Sequence, residues 1–224
     1  LIDQLDVSRN DDPWLMVASM VNPHDITLFG MAAILGGGFN FDVEDLVPSF
    51  DELFDVELFE QTLTDDLLTK PSCQESYQTS YRDWQQGVPP EGYFRLYYQL
   101  HKDVDDVLAG VYSALRRSRF FDYTIVVFTS DHGDLLGSHH YMHQKRYQAY
   151  DETIRVPLII SNPRLFPRPK SIDRLTSHVD LMPTLLGLAG LDPARLEDTV
   201  AEGHSTPVPL VGRDLSRTVL RGRR

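Results

Sequence analysis

The stretch Thr124-Ile-Val-Val-Phe-Thr-Ser-Asp-His-Gly-Asp134 decides the fold. Its β-branched and aromatic half reads as a buried strand. The strand then breaks off in Ser130-Asp-His-Gly133, so a carboxylate and an imidazole stand side by side where it enters a loop. Adjacent residues of a regular strand point to opposite faces, so both reach one ion only once the strand has broken, which Gly133 permits. A carboxylate oxygen suits calcium or magnesium, whereas zinc would accept the histidine as well. The same four residues also suit a plain turn, with Asp131 as its cap and His132 packed beside it.

Upstream, Trp14-Leu-Met-Val-Ala-Ser-Met-Val21 is a second apolar run, ending in the turn signal Asn22-Pro-His-Asp25. Between the two runs, Tyr93, Tyr97, Leu100, Val104, Val107, Val111 and Leu115 recur at spacings of three and four. That spacing predicts an amphipathic helix of about seven turns, with Arg116, Arg117 and Arg119 at its negative end. A strand, a helical crossover and a second strand make a parallel α/β unit. Val156–Ser161 reads as a third strand and Leu175–Val179 as a short fourth. Asp180 is placed to cap a helix that runs through Leu186 and ends near Gly190. Residues 26–92 lack clean periodicity and read as a loop-rich insertion on the substrate side, with a short helix at Asp51–Phe59. In open parallel sheets ligands bind beyond the carboxyl ends of strands. His24-Asp25, Asp131-His132, His178 and Asp180 all fall at such ends.

The 224 residues suffice for one large domain, and the net charge of -12 argues against a nucleic-acid partner. No apolar run approaches the length of a membrane span. Ten acidic residues fall between Asp42 and Asp66, a stretch without Lys or Arg that reads as a solvated excursion. Cys73 is the only cysteine, so no intrachain disulfide forms.

Taken in order, several segments resemble the sulfatase family of the alkaline phosphatase superfamily. They are the strand ending in Pro23-His24, the stretch Thr124–Gly137, Lys145, Ile154-Arg-Val-Pro-Leu-Ile-Ile160, His178-Val-Asp-Leu-Met-Pro-Thr-Leu-Leu186 and Leu210-Val-Gly-Arg-Asp-Leu-Ser216. Asp-His-Gly alone is a weak signal shared across the superfamily; the ordered set is specific. The resemblance implies an alkaline-phosphatase-like α/β fold, with a parallel or mixed sheet flanked by helices, and residues 1–224 as a partial domain incomplete at both ends. It implies hydrolysis of sulfate esters, with a sulfated small molecule or sugar as substrate. Asp131 and His132 would ligate a divalent cation, usually calcium, with magnesium, manganese or zinc as variants. Lys145 would reach the sulfate oxygens, and His24 would bond the leaving-group oxygen as general acid.

Other polar residues read as structural. Arg155 suits an ion pair, His178 a packing role, and His139, His140 and His143 a loop of surface histidines. Tyr93, Phe94 and Tyr97 read as core. Sulfatases use a formylglycine made from Cys or Ser in Cys/Ser-x-Pro-x-Arg. Cys73 is followed by Gln-Glu-Ser-Tyr, and in Ser161-Asn-Pro-Arg164 the arginine comes one position early. The formylglycine and two further metal-binding aspartates are therefore expected upstream of Leu1, and the chain alone is expected to be inactive. Two alternatives stand beside this reading: a phosphonate or phosphate ester hydrolase of the same superfamily, and a degenerate anion-binding module.

Overall fold

The computed structural model describes residues 2, 4, 12–24, 26–27, 62–82, 90–192, 196 and 208–221. The expected helix Asp51–Phe59 and most of the insertion lie outside these residues, as does Asp25. The chain divides into two compact units, residues 1–120 with 132–156, and residues 121–131 with 157–224.

The first unit is helical. Its main element is α2, Pro90–Arg117, preceded by α1, Ser72–Arg82. Proline is tolerated at the first turn of α2, where its missing N–H has no intrahelical partner anyway. Arg116 and Arg117 lie at the carboxyl end, as expected from the helix dipole. The predicted apolar face is buried at its two ends, at Tyr93 and Leu115, with Phe94 buried beside the first, whereas Val107 near its middle is exposed. The helix stops at Ser118, whose N–H and hydroxyl both donate to the Leu115 carbonyl, at 3.0 and 2.8 Å. Tyr77 of α1 packs with Leu135 and Met142 as a small core, joined by Leu67 and Tyr150. A single turn, α3, covers Asp151–Ile154.

The second unit holds the sheet. Strands β1, Val126–Thr129, and β2, Leu158–Ser161, pair antiparallel, with Val126 opposite Ser161 and Thr129 opposite Leu158. β2 starts two residues later than expected, just after Pro157, which has no N–H to give a ladder. Asn162 is buried and fastens the ribbon's end. Its amide donates to the carbonyls of Asp122 and Thr124, at 3.1 and 2.9 Å, and its oxygen accepts the N–H groups of Arg164 and Leu165. Helix α4, Leu181–Leu188, follows a 3-10 turn at His178–Asp180. It ends as predicted at Gly190, which has φ 75. Gly190 N–H reaches the Gly187 carbonyl and Leu191 N–H the Leu186 carbonyl, a Schellman arrangement. Helix α5, Ser216–Arg221, packs against α4.

Three expectations are corrected. Residues 13–21 form no strand, and Leu15, Val17 and Val21 are exposed. An apolar run becomes a strand only where a neighbour completes its ladder, and among the described residues none does. The parallel crossover drawn through α2 is therefore absent from the described residues, and the sheet there is antiparallel. Nor is that ribbon covered on both faces, since Phe128, Leu158 and Ile159 are exposed. Finally, Leu175–Val179 is not a strand. The Asp180 carboxylate reaches back to the Ser177 N–H at 3.1 Å and bends the segment into the 3-10 turn. The α/β class itself stands. Among the described residues no helix is long and apolar enough to cross a membrane.

Candidate functional site

In the first unit the turn after Val21 presents His24. His24 N–H donates to the Val21 carbonyl at 2.9 Å, and the Asn22–Pro23 peptide is cis. Lys145 Nζ lies 3.3 Å from His24 Nδ1. An ammonium has only donors, so Nδ1 must accept, and the neutral ring then carries its proton on Nε2. His24 thus keeps one N–H for a further acceptor. The His132 ring lies 6.4 Å from that of His24, centroid to centroid. Its Nδ1 is 2.9 Å from the Gly133 carbonyl, which can only accept, so Nδ1 donates and, in the neutral ring, Nε2 holds the lone pair. This is the tautomer a metal-ligating histidine needs.

Gly133 is required by a close approach. Its N–H donates to the Thr153 carbonyl at 2.8 Å, and a β-carbon there would run into the Glu152 carbonyl. The loop that follows contains Leu136, His139, His140, Tyr141, Gln144 and Tyr147, all with positive φ. Asp134, partly buried, accepts the Leu136 N–H at 2.9 Å. Burial pushes its carboxyl above the usual range, opposed by N–H groups of Leu136 and Gln144 and by Lys145 and His132. Tyr97 is pushed up to about 12, by burial first and then by Asp134. The sequence reading passed over Asp134; the signal available was a second carboxylate three residues after the first.

The three loop histidines are not a surface set. His139 is clamped between Asp65 Oδ2, 2.8 Å from Nδ1, and Glu152 Oε1, 3.2 Å from Nε2, and stacks on Tyr150 at 3.8 Å. His143 is buried against Tyr93, and burial lowers it to about 4. Only His140 is exposed. Neighbouring carboxylates and an aromatic core, rather than loop position, decide these environments. Arg155 faces Asp151 one helical turn away at 4.0 Å, and both are exposed, so the pair contributes little.

In the second unit Asp131 follows β1 and is exposed. His178 Nε2 donates to the carbonyl of Ser130, the residue before it, at 2.8 Å. The buried Asp180 carboxylate accepts the Arg213 N–H at 2.7 Å as well as that of Ser177, and Arg213 holds it below the usual carboxylate range. Asp180 therefore ties two segments together and makes no forward cap to α4.

Among the described residues no group of three or more His, Cys, Asp and Glu side chains is arranged to hold a metal. The donors of Asp131 and His132 fit a divalent cation in kind: one hard carboxylate and one imidazole lone pair. They fall short in number of the six to eight oxygens that calcium takes.

Comparison with known proteins gives a consistent result. A family model described as Sulfatase matches residues 1–191. The uncharacterized sulfatase YidJ of Escherichia coli (strain K12) is 34% identical over 191 residues, covering 83% of this chain and 33% of that protein. A delta 4,5-hexuronate-2-O-sulfatase of Bacteroides thetaiotaomicron is 31% identical over 189 residues, covering 80% of this chain and 37% of that protein. Among solved structures, a phosphonate monoester hydrolase from Silicibacter pomeroyi aligns with a TM-score of 0.52 at 27% identity, over 66% of this chain and 28% of its own. The chain spans about a third of the length of the curated relatives it matches.

Proposed function

Because this chain belongs to the sulfatase family, we propose that the protein it builds hydrolyses sulfate esters, with sulfated sugars as the substrate class. The observation that carries this reading is the Lys145–His24 pair, a fixed cation donating to a histidine whose other nitrogen keeps its hydrogen. In this reading the Lys145 ammonium binds the sulfuryl oxygens and stabilises the charge that builds on them as the bond to the leaving group breaks. His24 offers its Nε2–H to the leaving oxygen, and the ammonium on Nδ1 makes that N–H a better donor. Asp131 and His132 would hold a divalent cation, calcium first among the candidates. Bound there, it would supply further positive charge toward the ester oxygens. None of the 224 residues heads a Cys/Ser-x-Pro-x-Arg motif. In this reading the nucleophile, a formylglycine, is therefore contributed by sequence other than these residues.

The test is turnover of 4-nitrophenyl sulfate against an aryl phosphonate monoester by the full-length protein. Faster sulfate hydrolysis is expected, with Lys145→Ala lowering kcat/KM by about a hundredfold or more. A preference for the phosphonate would replace this reading with the second, which the structural likeness to a phosphonate monoester hydrolase favours. Sulfate binding without turnover of either ester would leave the anion-binding module.

A further inference from the structure

The loop between Gly133 and Lys145 is bolted at its apex from two directions, through His139. Its Nδ1 lies 2.8 Å from Asp65 Oδ2 and its Nε2 3.2 Å from Glu152 Oε1. A hydrogen must lie in each bridge, and a neutral imidazole supplies only one. The two bridges thus hold two hydrogens, and the three side chains share one negative charge. Only 12% of the His139 side chain is exposed. Its ring stacks nearly parallel on Tyr150, whose hydroxyl donates to Gln74 of α1. The two acids come from distant parts of the chain. Asp65 stands near the end of the acidic stretch, and nearby Thr62 donates to the Ser138 hydroxyl at 3.0 Å. Glu152 stands in α3, where the next carbonyl, of Thr153, accepts the Gly133 N–H at 2.8 Å. α3 therefore grips the loop at its entry and again at its apex. The loop's two arms are joined by Leu135 N–H on the Gln144 carbonyl at 3.0 Å, one residue before Lys145.

Stability alone does not call for this triad. A phenyl ring would stack on Tyr150 without burying charge, and buried ion pairs exchanged for apolar groups often lose nothing. Nor does the backbone favour the position, since His139 has φ 55. What an imidazole adds is direction. Two bonds at opposite edges of one rigid plane fix two segments relative to each other. We propose that His139 is a positioning residue, a two-ended clasp that fastens residues 62–65 and α3 to the loop whose base carries Lys145. Its effect on Lys145 in catalysis rests on the sulfatase reading; the clasp itself does not.

The test is hydrogen–deuterium exchange of the full-length protein, read by mass spectrometry on peptides spanning residues 62–68 and 150–155, with α2 as reference. His139→Phe keeps the stack and loses both bridges. It should speed exchange in both peptides about fivefold and leave α2 unchanged. Asp65→Ala should speed only the first peptide and Glu152→Ala only the second. In the His139→Phe background neither should add to the loss, because the bridge each would break is already gone. Exchange in His139→Phe at the wild-type rate, acceleration that includes α2, or additive double variants would each overturn the clasp. Should His139→Phe fail to fold, the partly exposed acids decide, since wild-type exchange in both Asp65→Ala and Glu152→Ala would refute it. Turnover of 4-nitrophenyl sulfate gives a second readout. His139→Phe should lower kcat about fivefold with KM changed less than about twofold. Undiminished kcat in an active protein would overturn the positioning of Lys145. An inactive wild type would sink the sulfatase reading alone and leave the exchange result standing.

Discussion

Acidification should remove one contribution to the stability of the first unit, that of His143. Its ring is buried against Tyr93, and no described partner meets Nδ1. Burial lowers it from 6.5 to about 4. Between those values the unfolded chain binds a proton that the folded chain refuses. The stabilising effect is therefore complete above pH 6.5 and is lost as pH falls toward 4. Each unit of separation is worth about 1.4 kcal/mol, so the loss should be about 2 kcal/mol at pH 5 and about 3 kcal/mol at pH 4. Urea unfolding of wild type and His143→Gln at pH 7.5, 6, 5 and 4 isolates this contribution, because carboxylates that titrate in both proteins cancel in the difference. The difference in unfolding free energy should shrink or reverse by about 2 kcal/mol between pH 7.5 and 5. A difference that stays flat across that range would refute the buried, neutral histidine.

Three other outcomes are expected. Gly133→Ala should destabilise by about 2–4 kcal/mol in urea unfolding, through overpacking against the Glu152 carbonyl and loss of the bond to Thr153. Gly110→Ala, on open helix surface, should instead stabilise by about 0.5–1 kcal/mol, so a neutral Gly133→Ala beside it would count against the close approach. Asn162→Ala removes four hydrogen bonds and should lower stability by about 2–4 kcal/mol, with unchanged stability showing that the ribbon needs no fastening. Chelation of the full-length protein should abolish ester hydrolysis and calcium should restore it, His132→Ala needing about tenfold more calcium; full activity in chelator would remove the metal from the reading.

Local periodicity carried the helices. The face from Tyr93 to Leu115, the basic end of α2 and the Gly190 stop all follow from neighbours within a few residues. The sheet depended on partners far along the chain, which an apolar run does not name. Hence Trp14–Val21 resembled a strand as fully as Val126–Thr129 did, yet only the latter found a ladder. At the candidate site, order along the chain pointed to His24 and Lys145, which lie within hydrogen-bonding distance although far apart in sequence. The environment of His139 was hidden because it is set by what packs on it, Asp65 on one side and Glu152 on the other.

The six non-glycine residues with positive φ between Leu136 and Tyr147 have a consequence for engineering. Each is a position where glycine would relieve about 1 kcal/mol of backbone strain. Glycine also raises the entropy of the unfolded chain by about as much, and at His139 it would remove the contacts to Asp65, Glu152 and Tyr150, so the strain alone promises no net gain in melting temperature. What the substitutions would change is order, releasing a backbone that hydrogen bonds such as Leu135 N–H to the Gln144 carbonyl now hold in one turn. A selection for heat resistance alone would therefore find little to work on in this loop.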